Sequence, residues 1–141
     1  MTPEGKQKLK SLLIRHESYK QFPYSDTTGH LTIAIGRNLS TRGISTTEAS
    51  YLLDEDILYF SAKLGVYMTF FISLSENRQI ALIDMAFNLG INGFLNFDKM
   101  IKALENEDYE LASREILDSK WAKQVGERAV ELANIIRTGE I

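Results

Sequence analysis

Two carboxyl-bearing residues, Glu17 and Asp26, stand nine positions apart, and Thr32 follows at the head of an apolar alternation. Glu17 closes a run of apolar positions at helical spacing. Asp26 sits among turn formers, Ser25-Asp26-Thr27-Thr28-Gly29. Cleaving a glycosidic bond takes two carboxyl groups: one protonates the leaving oxygen, the other activates water or attacks the anomeric carbon. Unlike surroundings give such groups unlike proton affinities, and hence different roles. Glu17, backed by apolar helix positions, suits the acid. Asp26, in a polar turn, suits the ionised partner, and the Thr32 hydroxyl could orient water. By spacing alone, the same residues also read as a solvated helix end and an Asx-turn.

Several elements must position these groups. Thr2-Pro3 reads as an N-cap followed by proline at the first helical position. Leu9, Leu12, Leu13 and His16 recur at helical spacing, which predicts a first helix ending near Glu17. Residues 19–39 alternate instead, from Tyr19 through Phe22, Tyr24, Leu31, Ile33 and Ile35 to Leu39, and predict a short antiparallel sheet with a hairpin at Asp26–Gly29. Ser45-Thr46-Thr47-Glu48 is a capping box, and the spacing from Ala49 to Leu64 predicts a long helix after it. From Ser75 onward the period is helical throughout, punctuated by Gly90, Gly93 and Gly126. The expected fold class is α+β and mostly helical: a small β-containing lobe (about residues 15–45), a connecting helix (about 46–70), and a larger all-helical lobe (about 73–141) that also takes in the N-terminal helix. No repeat or linker divides the 141 residues, so one domain is expected.

Composition narrows the chemistry. With 44% apolar and 25% charged residues, the chain is globular rather than disordered. It has no cysteine, which removes a thiol nucleophile and so a cysteine peptidase or amidase. Its two histidines, His16 and His30, show no metal-ligand spacing, so neither a zinc amidase nor any metal or other cofactor is expected. The formal charge of −3, with no basic stripe, argues against nucleic acid as the partner. No secretory signal is read at the start, and the apolar run Val66–Leu74 is half the length of a membrane span, so no stable membrane association is expected. His16 reads as a packing or capping residue at a helix end, His30 as turn surface, and Trp121 as packing rather than a sugar platform. Glu105-Asn106-Glu107-Asp108 reads as a solvated helix junction.

The stretch Glu17–Gly36 resembles the active-site segment of the phage-type lysozymes, glycoside hydrolase family 24. The family pattern there is Glu, then Tyr-x-Asp-x-x-Gly, then Thr-x-Gly-x-Gly. Here it stands as Glu17, Tyr24-Ser25-Asp26-Thr27-Thr28-Gly29 and Thr32-Ile33-Ala34-Ile35-Gly36. Ala81–Gly90 resembles the family's cleft-side helix, and Ser119-Lys120-Trp121 with Gly126-Glu127-Arg128-Ala129 its late tryptophan segment. Arg137-Thr138-Gly139 resembles its closing motif.

The resemblance implies a lysozyme-like fold and a muramidase that hydrolyses the β-1,4 bond between N-acetylmuramic acid and N-acetylglucosamine, with inversion. It makes Glu17 the general acid, Asp26 the carboxylate that activates water, and Thr32 a residue that holds that water. Arg128 matches a family arginine near the acid, and Phe87 and Asn88 match positions beside the substrate. Other substrate contacts fall on Asn38, Met100 and Glu115. The implied protein is a monomer acting on bacterial peptidoglycan. It would stay in the host cytoplasm until a separate pore-forming protein gives it access to the cell wall. Two departures stand out. Ala34 replaces the first glycine of Thr-x-Gly-x-Gly and is expected to stiffen the strand. Arg37 stands where the best-known member has histidine, so a histidine-based ion pair is not expected. A lytic transglycosylase could use a lone glutamate, but Asp26 and Thr32 at the family spacing favour a hydrolase. A binding module that has lost catalysis is the alternative from another class.

Overall fold

The computed structural model describes residues 1–141. In chain order its elements are α1 (Pro3–Glu17), β1 (Lys20–Ser25), β2 (Leu31–Ala34), β3 (Arg37–Asn38), α2 (Thr46–Tyr67), a 3-10 turn at Phe71–Ser73, α3 (Glu76–Leu95), α4 (Asp98–Glu105), α5 (Tyr109–Leu117), α6 (Lys120–Val125) and α7 (Glu127–Thr138). This is a mostly helical α+β fold with one three-stranded antiparallel sheet, ordered β1-β2-β3. Two compact units divide the chain, Met1–Tyr51 and Leu52–Ile141, and the boundary falls inside α2. The N-terminal helix groups with the sheet in the first unit, whereas the sequence reading had assigned it to the helical lobe. No single helix is long and apolar enough to cross a membrane.

In the first unit, local chemistry sets each boundary. The Thr2 side chain accepts from the Gly5 backbone N–H and starts α1, with Pro3 at the first helical position. At the start of α2 the capping box closes both ways: Ser45 Oγ accepts from the Glu48 N–H at 3.1 Å, and Glu48 Oε1 accepts from the Ser45 N–H at 3.0 Å. Pro23 lies in edge strand β1, where the register shifts between Lys20 and Tyr24, a place where a missing N–H leaves no ladder gap. Expected and observed structure part over α1. Its apolar residues Leu9, Leu12 and Leu13 recur at the spacing of a packing face, yet the helix buries no residue. Thr32 is the one buried residue of the unit.

An ion pair ties β3 to the start of α2. Arg37 reaches the N-terminal turn of α2, placing a guanidinium nitrogen 2.6 Å from Glu48 Oε2 and donating to the Gly43 carbonyl at 3.1 Å. The Arg37 hydrogen bond, helped by the Ser45 backbone and side chain, holds the Glu48 carboxyl down to about 2. A carboxyl whose folded value is depressed contributes stability above its unfolded value of 4.5 and loses it as pH falls through about 2. Glu48→Gln keeps an acceptor for Ser45 and removes the charge. Its thermal midpoint is expected to lie below that of the parent at neutral pH, and the gap should close as the pH falls through that window. A pH-independent gap would show that the charge is irrelevant.

Two non-glycine residues of this unit sit in strained backbone. Ser18, directly after Glu17, has φ 65° and ψ 162°, a region almost reserved for glycine. Ala34 has φ 60°. The sequence reading expected Ala34 to stiffen a strand; instead it opens the turn between β2 and β3 in the left-handed region, where a Cβ is unfavourable by about 1–2 kcal/mol. The greater freedom of glycine in the unfolded chain offsets part of that, by about 0.4–1 kcal/mol. Ser18→Gly and Ala34→Gly are each expected to stabilise the protein by about 1 kcal/mol in urea unfolding. A loss of stability in either would remove the strain argument at that position.

The second unit carries the hydrophobic core. Ala81, Leu82, Met85 and Ala86 form one buried stripe of α3. It packs with residues of α4, α5 and α7, including Leu104, Ile116 and Ile136. Gly90 (φ 76°, ψ 162°) breaks α3 into two segments, and Gly126 separates α6 from α7. Gly93, read as a third break, lies inside the second segment of α3. The Asp108 side chain accepts from the Leu111 N–H at 3.1 Å and starts α5, so Glu105–Asp108 is an exposed helix junction.

Candidate active site

Glu17, Asp26, Thr32 and Asn38 belong to the first unit; Phe87, Asn88, Met100, Glu115 and Arg128 belong to the second. The first set is held around the sheet. Glu17 is the last residue of α1 and is exposed. Its side chain has no hydrogen bond or ion pair within its unit. Its carboxyl rests against the turn between β2 and β3. A Cβ built on Gly36, which has φ 68°, would lie 2.8 Å from Glu17 Cδ and Oε2.

Asp26 is treated in the opposite way. Its Oδ1 accepts three hydrogen bonds, each of 2.8 Å, from the Thr28 N–H, the Thr28 hydroxyl and the His30 N–H. The His30 backbone donor, followed by the Thr28 hydroxyl, draws the Asp26 carboxyl below the ordinary carboxylate range. Oδ2 accepts no hydrogen bond and lies 3.9 Å from His30 Nδ1. The turn that carries it closes through Gly29 N–H to the Asp26 carbonyl at 3.1 Å and Asp26 N–H to the His30 carbonyl at 2.9 Å. Thr32 is 4% exposed, sits opposite Tyr24 on β1 and Asn38 on β3, and donates its hydroxyl to the His30 carbonyl at 3.0 Å. With its one hydrogen committed, that hydroxyl can act only as an acceptor.

The sequence reading missed Thr28 and His30. His30, read as turn surface, is half-buried, and its Nδ1 lies 2.7 Å from Thr28 Oγ1. Thr28 has one hydroxyl hydrogen; when it points to Asp26, His30 Nδ1 must carry a hydrogen and donate to Thr28. The signal lay in the i, i+2, i+4 spacing of Asp26, Thr28 and His30, which an Asx-turn brings to one side.

In the second unit, α3 presents Phe87 and Asn88 off its buried stripe, both exposed. Phe87 lines a hollow of about 360 Å³ with Leu53, Ile57, Ile80, Ile83, Asp84 and Arg128. Arg128 is half-buried on α7. Its Nε donates to Asp84 Oδ1 at 2.8 Å, and a second guanidinium nitrogen donates to the Asp84 carbonyl at 3.2 Å. It is therefore a fixed arginine rather than a free surface one. Trp121 is 6% exposed, lies edge-on to Phe97 and donates its indole N–H to Asn88 Oδ1 at 2.8 Å. It packs, as expected, and also orients Asn88. Asn38 is half-buried, and its Oδ1 accepts from the Thr41 N–H at 3.0 Å. Glu115 is half-buried on α5. Met100 needs a correction: it is 0% exposed on the inner face of α4, where it fills the core and has no surface left for a substrate. His16 lies exposed in the last turn of α1.

The first unit thus holds two carboxyls in unlike surroundings, Asp26 loaded with donors and Glu17 without one, and unlike surroundings are what separate the roles of two carboxyls in acid-base chemistry. A family model described as phage lysozyme matches residues 14–137. The chain belongs to the phage lysozyme family. It is similar to probable T4-type lysozyme 1 of Dictyostelium discoideum, 25% identical over 162 aligned positions that cover 94% of this chain and 95% of that protein. Probable T4-type lysozyme 2 of the same organism is 26% identical over 164 positions, with the same coverage. The pre-baseplate central spike protein Gp5 of Enterobacteria phage T4 is 27% identical over 161 positions, covering 92% of this chain and 28% of that protein. This phage-lysozyme family member is thus a glycoside hydrolase of the lysozyme type, which takes bacterial cell-wall peptidoglycan as its substrate.

Proposed function

We propose that the enzyme is a muramidase that hydrolyses the β-1,4 bond between N-acetylmuramic acid and N-acetylglucosamine with inversion. Glu17 protonates the leaving oxygen, Asp26 takes a proton from the attacking water, and the Thr32 oxygen accepts a hydrogen bond from that water. The observation that carries the reading is the contrast between the two carboxyls. Asp26 Oδ1 is saturated by three donors, which favours the ionised state, while Oδ2 keeps its lone pairs for water. Glu17 has neither donor nor cation beside it within its unit. Asn38, Phe87, Asn88 and Arg128 serve as substrate contacts. The whole chain works as one catalytic domain and as a monomer. It stays in the host cytoplasm until a separate pore-forming protein opens the way to the wall.

Stereochemistry tests the assignment of Asp26. Water activated on the face opposite the leaving group yields the α anomer first from a β-linked glycan. Proton NMR of fresh product, recorded before mutarotation, is expected to show α. Initial β product would mean a covalent or substrate-assisted route and would take the water-activating role from Asp26. Clearing of permeabilised bacteria separates an active enzyme from a binding module without catalysis.

A further inference from the structure

We propose that Gly36 is a positioning residue for the reaction: its bare α-carbon forms the seat that fixes the Glu17 carboxyl. The inference rests on the reading of Glu17 as the general acid. A Cβ on Gly36 would stand 2.8 Å from Glu17 Cδ, 2.8 Å from Oε2 and 3.0 Å from Cγ. Carbon atoms in ordinary contact stay about 3.5–4.0 Å apart. The carboxyl therefore occupies the volume that a side chain at position 36 would fill.

The arrangement suits a proton donor. A cation or N–H donor could also hold the carboxyl still, but each would favour its ionised form. A glycine seat fixes position by shape alone. It also sits where the chain already bends sharply, with Ala34 at φ 60° and Gly36 at φ 68° between β2 and β3. The group that a new Cβ would displace is the free end of a flexible side chain, not backbone. Filling the seat therefore moves the acid rather than the neighbouring backbone.

A second glycine supplies the control. Gly43 has φ 63°, close to that of Gly36, and a Cβ there meets nothing within 4 Å. Gly36→Ala and Gly43→Ala both place a side chain at positive φ, and only the first displaces Glu17. Both are expected to lose similar stability in urea. With a soluble peptidoglycan fragment, Gly36→Ala is expected to lose about 100-fold in kcat with little change in KM, as a displacement of about 1 Å in a reacting group does. Gly43→Ala should keep the parent kcat. Gly36→Asn, compared with Gly43→Asn, repeats the test with a residue that tolerates positive φ, should alanine fail to fold. Equal kcat in the folded members of either pair would overturn the proposal. The reading of Glu17 is judged apart from it, by Glu17→Gln alone. Adding Gly36→Ala to Glu17→Gln is expected to lower the residual rate no further. A further large drop would show that Gly36 acts through another group.

Discussion

Glu17→Gln is expected to lower the rate of glycan cleavage by roughly 10²–10⁴-fold, the usual range for loss of a general acid. The amide has nearly the size and shape of the carboxyl and cannot deliver a proton to the leaving oxygen. The fold gives it no other reason to fail. Glu17 is exposed, ends α1, and makes no side-chain hydrogen bond within its unit, and exposed substitutions of that kind change stability by about 0.5 kcal/mol or less. Far-UV circular dichroism and the urea midpoint should therefore match the parent. The amide still fits the seat at Gly36, so substrate affinity, read as KM, should change little while kcat collapses. Near-normal lysis by a well-folded Glu17→Gln protein would remove Glu17 from the chemistry, and with it the role of its seat.

What was legible in the sequence was mostly local. The Thr2-Pro3 start, the Ser45–Glu48 capping box and the Asp26–Gly29 turn each rest on a few neighbouring residues, and each formed as read. The buried stripe of α3 follows from a period of 3.6, which needs no knowledge of the partner helices. Burial of a given face does need such knowledge. The same periodicity was read for α1, which buries none of its residues, and for α3, which buries five. Met100 shows a related limit. Its apolar character pointed to the core, and the core is where it lies; a functional role came only from resemblance. The strain at Ser18 and Ala34 was hidden because residue type does not announce a positive φ outside glycine and asparagine. The contact between Gly36 and Glu17 joins residues nineteen positions apart through the fold of β2 and β3, so no local pattern could show it. At Arg37 the sequence predicts only that a histidine-based ion pair is absent; the structure adds a different one, because Glu48 in the first turn of α2 is within its reach.

Asp26→Asn is expected to match Glu17→Gln in scale, a loss of roughly 10²–10⁴-fold, because the amide cannot take the proton from water. Its side-chain oxygen still accepts from the N–H groups of Thr28 and His30, so the turn should survive. Total loss of structure in this variant would leave the base role to be judged by a milder change, Thr28→Val. That substitution keeps the shape and both backbone donors and removes one hydroxyl from Asp26 Oδ1. The hydroxyl is one of the groups that draw the Asp26 carboxyl down, second to the His30 N–H. Without it the carboxyl moves back up toward the ordinary range. Asp26 must be ionised to work, so activity disappears as pH falls through its value, and a higher value makes activity disappear sooner on acidification. The acid limb of kcat/KM against pH, which reports the free enzyme, should therefore shift to higher pH in Thr28→Val, whatever happens to the plateau. His30→Ala removes the ring that Thr28 accepts from and keeps the backbone N–H, so its shift should be the smaller of the two. An acid limb that stays in place in a folded Thr28→Val protein would separate Asp26 from the group whose ionisation the reaction requires.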